Sequence, residues 1–176
     1  IFNSDHGETA GDHGLNKKGC RFYEGLARVP LVFSWPGRIK QGLRSDALVE
    51  LVDIAPTLLD LTGLPVPETM QGRSLLKIIE GKADPGKHRD SVRSVYYKAL
   101  DGPESYATMI RTPEYKLVNY HGHQTGELFD MTKDPHEFEN QWDNPKYAAV
   151  RFNLMKKSFD ALAFAVDTGP PRVGRY

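Results

Sequence analysis

Between Val92 and Asp130 the chain carries four short β-prone runs, Val92–Tyr97, Tyr106–Arg111, Tyr115–Tyr120 and Glu127–Asp130, with turn signals between them. Runs this short and this closely spaced pair through hairpins, so they predict a small antiparallel sheet. The segment that follows, Pro145 to Phe164, has a different period. Tyr147, Val150, Leu154, Lys157 and Ala161 step along one side of a helix, with Phe152, Met155, Phe159 and Leu162 nearby on a broad apolar face. Packing against the sheet is the role this face implies.

The first half reads differently. Val29 to Trp35 (VPLVFSW) is a candidate buried strand stopped by Pro36-Gly37, and Asp46 to Val52 is apolar enough for another. Asp53 offers a helix cap before IAPTLLDL, where Pro56 is tolerable because it falls in the first turn. Gly63, Pro65 and Pro67 end that helix. Ser74 to Glu80 is a short amphipathic helix, and the polar run Gly81 to Asp90 reads as a linker. A boundary there divides the chain into residues 1–84 and 85–176. The last ten residues, DTGPPRVGRY, have no period and are expected to run irregularly over the surface. Local pattern alone gives α/β followed by α+β.

Composition excludes little but points one way. At 176 residues the chain can bury a core of its own, and 39% apolar content describes an ordinary globular protein. With 23 basic and 23 acidic residues, nothing hints at a nucleic-acid or membrane-surface partner. No apolar stretch approaches a membrane span. A single cysteine, Cys20, rules out an internal disulfide and has no adjacent base motif, so it reads as a small buried residue.

The chemistry gathers near the start. Ile1-Phe2 reads as the end of a buried strand that breaks into a polar, Gly-rich turn carrying Asp5 and His6. In open α/β sheets ligands bind beyond the carboxyl ends of strands, and adjacent oxygen and nitrogen donors there suit a divalent cation. A bare Asp-His pair serves as well for a helix cap and a packed ring. Twelve residues after His6, Lys18 is a cation able to return to the same pocket and hold an anion, whereas its neighbour Lys17 reads as solvated.

The longer run resolves the choice. Ser4-Asp5-His6-Gly7-Glu8, Gly11-Asp12-His13-Gly14, Lys18-Gly19, Phe22-Tyr23-Glu24, Arg28-Val29-Pro30-Leu31 and Pro36-Gly37 are followed in order by Ala47 to Leu59, Gln71 to Leu76, Arg111 to Val118 and Glu127 to Asp130. In that order the chain resembles the sulfatase family of the alkaline-phosphatase-like superfamily. The resemblance implies the C-terminal part of an α/β/α sandwich followed by a small α+β subdomain, an antiparallel sheet with a C-terminal helix. It implies Asp5 and His6 as metal ligands and Lys18 as the residue that binds the sulfate and neutralises the leaving ester. The implied metal is calcium. Calcium prefers oxygen ligands and imidazole suits zinc or manganese better, but the remaining ligands of a sulfatase site are carboxylates and a sulfate oxygen. His13 either touches substrate or holds its loop, and His121 either contacts a sugar or is an ordinary turn histidine.

The family's Cys/Ser-x-Pro-x-Arg motif, source of its formylglycine nucleophile, is absent, as is the Asp pair that completes the metal site. The expectation is therefore a C-terminal portion that needs the N-terminal part of the same enzyme, is inactive and poorly stable alone, and acts on a sulfated small molecule or glycan. A periplasmic or extracellular setting is what the resemblance implies. Two rivals stay open. A phosphodiesterase or phosphonate monoester hydrolase of the same superfamily shares the Asp-His turn, and a non-catalytic binding module would also lack the nucleophile.

Overall fold

The computed structural model describes residues 1–98 and 105–165. The C-terminal run Asp167–Tyr176, expected to be irregular, lies outside the described residues. Strand β1 (Phe2–Asn3) pairs antiparallel with β2 (Leu31–Val32), Phe2 opposite Val32 and Asn3 opposite Leu31. A short helix, α1 (Glu24–Ala27), precedes β2. The expected strand Val29–Trp35 thus shrinks to the residues that have a partner, and Phe2, expected to be buried, is 66% exposed. A strand extends only as far as a neighbour supplies hydrogen bonds, and β1 supplies two residues.

The second expected strand, Asp46–Val52, does not form. Leu48 makes an isolated bridge to Arg89, and Leu51–Asp53 is a 3-10 turn leading into α2 (Ile54–Thr62). Helix α2 ends where expected, at Gly63, whose φ of 73° is the left-handed stop that glycine adopts freely. Asp53 does not cap α2. Its fully buried carboxylate accepts the N–H groups of Glu50 (3.0 Å) and Arg73 (2.7 Å), takes both arms of the Arg89 guanidinium and meets His88 Nε2 at 3.2 Å. Burial pushes this carboxyl up, but Arg89 and the two N–H groups outweigh it and hold it below its ordinary value. Helix α3 (Leu76–Ile79) supplies Ile78 and Ile79 to a core that also takes Leu75, Leu31, Phe33 and Val49.

The C-terminal sheet forms as the alternation predicts. Strands β3 (Val92–Tyr97), β4 (Tyr106–Arg111), β5 (Tyr115–Tyr120) and β6 (Gly126–Asp130) lie in sequence order, each antiparallel to the next. Period-two alternation gives each face its own partner. Ile110, Leu117 and Leu128 point to one side and pack with Trp142 and Leu154; Ala107, Met109 and Val118 point to the other and pack with Phe22.

Helix α4 (Ala148–Ala163) lies on the first face. A 3-10 turn, Pro145–Tyr147, leads into it, with the Asn144 side chain accepting the Lys146 N–H at 3.0 Å. Only part of the expected apolar face is used: Tyr147, Val150 and Leu154 pack inward, whereas Phe152 and Phe159 are 69% and 73% exposed. The sheet's opposite face covers the loop that carries the candidate site.

Candidate active site

The turn that follows β1 is shaped by its own short polar side chains. Ser4 Oγ donates to the His6 carbonyl (2.7 Å), and Asp5 Oδ1 accepts the His6 N–H (3.0 Å). Gly7 then donates its N–H to the Leu26 carbonyl at 2.9 Å, seating the turn on α1. Only glycine fits there, because a Cβ would collide with the Gly25 carbonyl.

Two partners fix the His6 ring. Nδ1 lies 2.8 Å from the Gly7 carbonyl, which can only accept, so Nδ1 carries the proton. Nε2 lies 2.6 Å from Lys18 Nζ, an ammonium that can only donate, so Nε2 presents its lone pair. Asp5 Oδ2 is 3.5 Å from the same Nε2. The Asp5 carboxyl is held below its ordinary value, chiefly by the His6 N–H, with a smaller contribution from the charge of Lys18. Lys18 is half-buried, and Asp5, His6 and Lys18 open onto one broad concavity of about 1830 Å3.

The two other candidate histidines, His13 and His121, lie elsewhere. His13, at φ 53°, stacks on Tyr23 with ring centroids 3.8 Å apart and lies 5.0 Å from the Phe138 ring. It lines a separate cavity of about 70 Å3 with Thr9, Asp12 and His136. His121, past the end of β5, is within 3.2 Å of Thr108 Oγ1 and 3.3 Å of Asn119 Nδ2. Thr108 and Asn119 alternate with the residues that pack on Phe22, so these bonds draw His121 to the α4 side of the sheet.

Sequence reasoning missed Arg21, Tyr120 and Glu127. Arg21 lines the same concavity as Lys18. Its guanidinium lies 5.9 Å from the Tyr120 ring centroid, and the Tyr120 hydroxyl donates to Glu127 Oε1 at 3.1 Å. Burial raises the Glu127 carboxyl, only partly offset by Tyr120 and Arg21, and its buried Oε2 has no hydrogen-bond partner among the described residues. The Lys-Lys-Gly-Cys-Arg spacing was the one available signal for Arg21.

The donor set fits a divalent cation in part. Asp5 Oδ2 and His6 Nε2 are closer together than twice a usual metal–ligand length of roughly 2.0–2.5 Å, so one ion reaches both. The Gly7 carbonyl on Nδ1–H is the outer contact that orients a ligating imidazole. Among the described residues no group of three or more His, Cys, Asp or Glu side chains forms a metal cluster. A complete shell would need further ligands beside Asp5 and His6.

Residues 11–163 match the family model described as N-sulphoglucosamine sulphohydrolase, C-terminal. The chain belongs to the sulfatase family. It is 35% identical over 163 residues to an N-acetylglucosamine-6-O-sulfatase of Bacteroides thetaiotaomicron, covering 89% of this chain and 28% of that protein. Human arylsulfatase K is 34% identical over 178 residues, covering 97% and 31%. One similar structure was solved in complex with its substrate D-glucosamine-2-N,6-O-disulfate (TM-score 0.83, 32% identity, 96% of this chain and 35% of that one). Another is the phosphonate monoester hydrolase of Agrobacterium radiobacter (TM-score 0.79, 32% identity, 95% and 35%). The chain therefore spans about a third of the length of these relatives, and the sulfatase resemblance extends over both halves of it. No helix among the described residues is long and apolar enough to cross a membrane.

Proposed function

We propose that this chain is the C-terminal portion of a sulfatase that hydrolyses a sulfate ester of a carbohydrate or aryl alcohol. In this reading residues 1–84 end the α/β catalytic domain and residues 85–176 form the small subdomain. The observation that carries it is the convergence of Asp5, His6 and Lys18 on one concavity, in a chain of this family.

Asp5 and His6 would hold a divalent ion, calcium in this proposal, which supplies positive charge against the sulfate oxygens. The Gly7 carbonyl keeps the His6 proton on Nδ1 and Nε2 free to ligate. The lone pair on Nε2 serves either the ion or Lys18. With an ion held by Asp5 and His6, the Lys18 ammonium would be available to the anion, where it would neutralise charge developing on the ester oxygen. Asp5, held ionised, keeps the turn attractive to a cation. The nucleophile, a formylglycine hydrate, belongs to polypeptide outside residues 1–176 in this proposal, as do the remaining metal ligands.

A second reading, hydrolysis of phosphonate monoesters, is favoured by the likeness to the Agrobacterium enzyme. Both ester classes present a tetrahedral oxyanion to the same cation set. The test is hydrolysis of 4-nitrophenyl sulfate and of a 4-nitrophenyl phosphonate monoester by the polypeptide that joins this chain to its preceding sequence, with calcium supplied. Sulfate turnover supports the sulfatase, and phosphonate turnover alone replaces it with the second reading. Turnover of neither, with formylglycine verified by mass, counts against both.

A further inference from the structure

We propose that Arg21 is a specificity residue that binds a second anionic group on the substrate, a carboxylate or another sulfate, beside the ester held near Lys18. The inference rests on the sulfatase reading and names what that site prefers.

Arg21 and Lys18 line the same concavity and are separated by Gly19, whose φ of 53° turns the chain, and Cys20. Three residues place the two Cα atoms at most about 11 Å apart, a separation that two long side chains leave within the span of one substrate of sugar size. Two of the other arginines that line the concavity are committed to carboxylates. Arg89 is bound to Asp53 and Glu50, and Arg111 lies 3.6 Å from Glu24. Arg21 differs from both. Among the described residues no carboxylate lies within ion-pair distance of it, and its Nη1 donates to the adjacent Cys20 carbonyl at 2.9 Å.

What holds the guanidinium is rigid. Tyr120 belongs to β5, paired with Ala107 of β4, and its hydroxyl is tied to Glu127 on β6. A guanidinium resting on an aromatic face that is itself anchored in a sheet loses little freedom on binding. One bond to Cys20 leaves most of its five N–H donors for a ligand, and their planar fork matches the paired oxygens of a carboxylate or sulfate. A lysine there would present a point charge without that fork.

The test compares singly and doubly anionic substrates in the polypeptide that joins this chain to its preceding sequence. Glucosamine 6-sulfate carries one anionic group, glucosamine 2-N,6-O-disulfate carries two sulfates, and a 6-sulfated disaccharide ending in a uronate pairs a sulfate with a carboxylate. Arg21→Ala should raise KM at least tenfold for the disulfate, the uronate or both, with kcat nearly unchanged, and leave glucosamine 6-sulfate within twofold. Which doubly anionic substrate responds identifies the group read. Arg21→Lys should recover only part of the loss, with the melting temperature of both variants unchanged. An equal effect on all three substrates, or none on any, overturns the role of Arg21 while leaving the sulfatase reading standing. Absence of sulfate hydrolysis in the parent overturns that reading, and this inference with it.

Discussion

Lys116 Nζ lies 2.6 Å from Glu137 Oε1, and the two side chains are 1% and 2% exposed. The same ammonium meets Glu24 Oε1 at 2.6 Å and donates to the Phe22 carbonyl at 2.9 Å. Glu137 Oε2 in turn accepts the Glu24 N–H at 2.6 Å. A lysine in the central strand β5 thus ties the loop after Lys18 to the sheet and to the turn beyond β6. The loop that positions Lys18 and Arg21 is anchored by a buried charge cluster as well as by the packing of Phe22.

Removing the cation from that cluster leaves buried carboxylates uncompensated. Lys116→Met should cost about 3–5 kcal/mol in urea unfolding. Lys133→Met removes a 72% exposed ammonium, screened by water, from Asp130 and should cost clearly less. Equal losses would contradict the assignment of Lys116 as the internal tie.

Two carboxyls should give stability opposite pH dependences. Asp130 accepts from Lys133 Nζ (2.7 Å), Thr132 Oγ1 (2.6 Å) and Tyr147 Oη (3.0 Å), which hold it well below the usual carboxylate range. Its contribution is present above the ordinary carboxyl pKa of about 4 and is lost as pH falls through the depressed value. Asp130→Asn should therefore flatten the acid limb of a melting-temperature profile. Glu127 is raised by burial, so the folded state retains its proton and stability falls as pH rises from about 4 through the folded value. Glu127→Gln should remove that decline and match the parent at lower pH. Profiles unchanged in both variants would sink the pair of assignments.

The two sides of α4 should respond unequally. Leu154 is 6% exposed in the sheet core, so Leu154→Ala should cost about 2–5 kcal/mol. Phe159 is 73% exposed, and Phe159→Ala should stay within about 0.5 kcal/mol. Denaturant midpoints on the same protein read both.

The four strands between Val92 and Asp130 were legible because alternation and turn residues are local, and both sheet faces found partners. Strand Val29–Trp35 was not, because its length depends on β1, a neighbour of two residues. Asp53 looked like a cap from its position before a helix, but its partners Arg73, His88 and Arg89 lie 20 to 36 residues away. The breadth of the α4 face misled for a related reason. Periodicity reports which residues are apolar, while the sheet takes up only the stripe through Tyr147, Val150 and Leu154. At the site, Asp5, His6 and Lys18 were legible as motif members that the fold brings together. The placement of His121 depends on strand register, which a single sequence does not display.

The central claim is that Lys18 stabilises charge on the departing ester. The direct measurement is kcat/KM for 4-nitrophenyl sulfate in the polypeptide that joins this chain to its preceding sequence, with Lys18→Ala beside the parent and calcium supplied. Loss of one preorganised charge donor predicts a fall of about 100-fold or more, carried mainly by kcat. A variant within threefold of the parent, with its metal bound and its fold intact, would contradict the account.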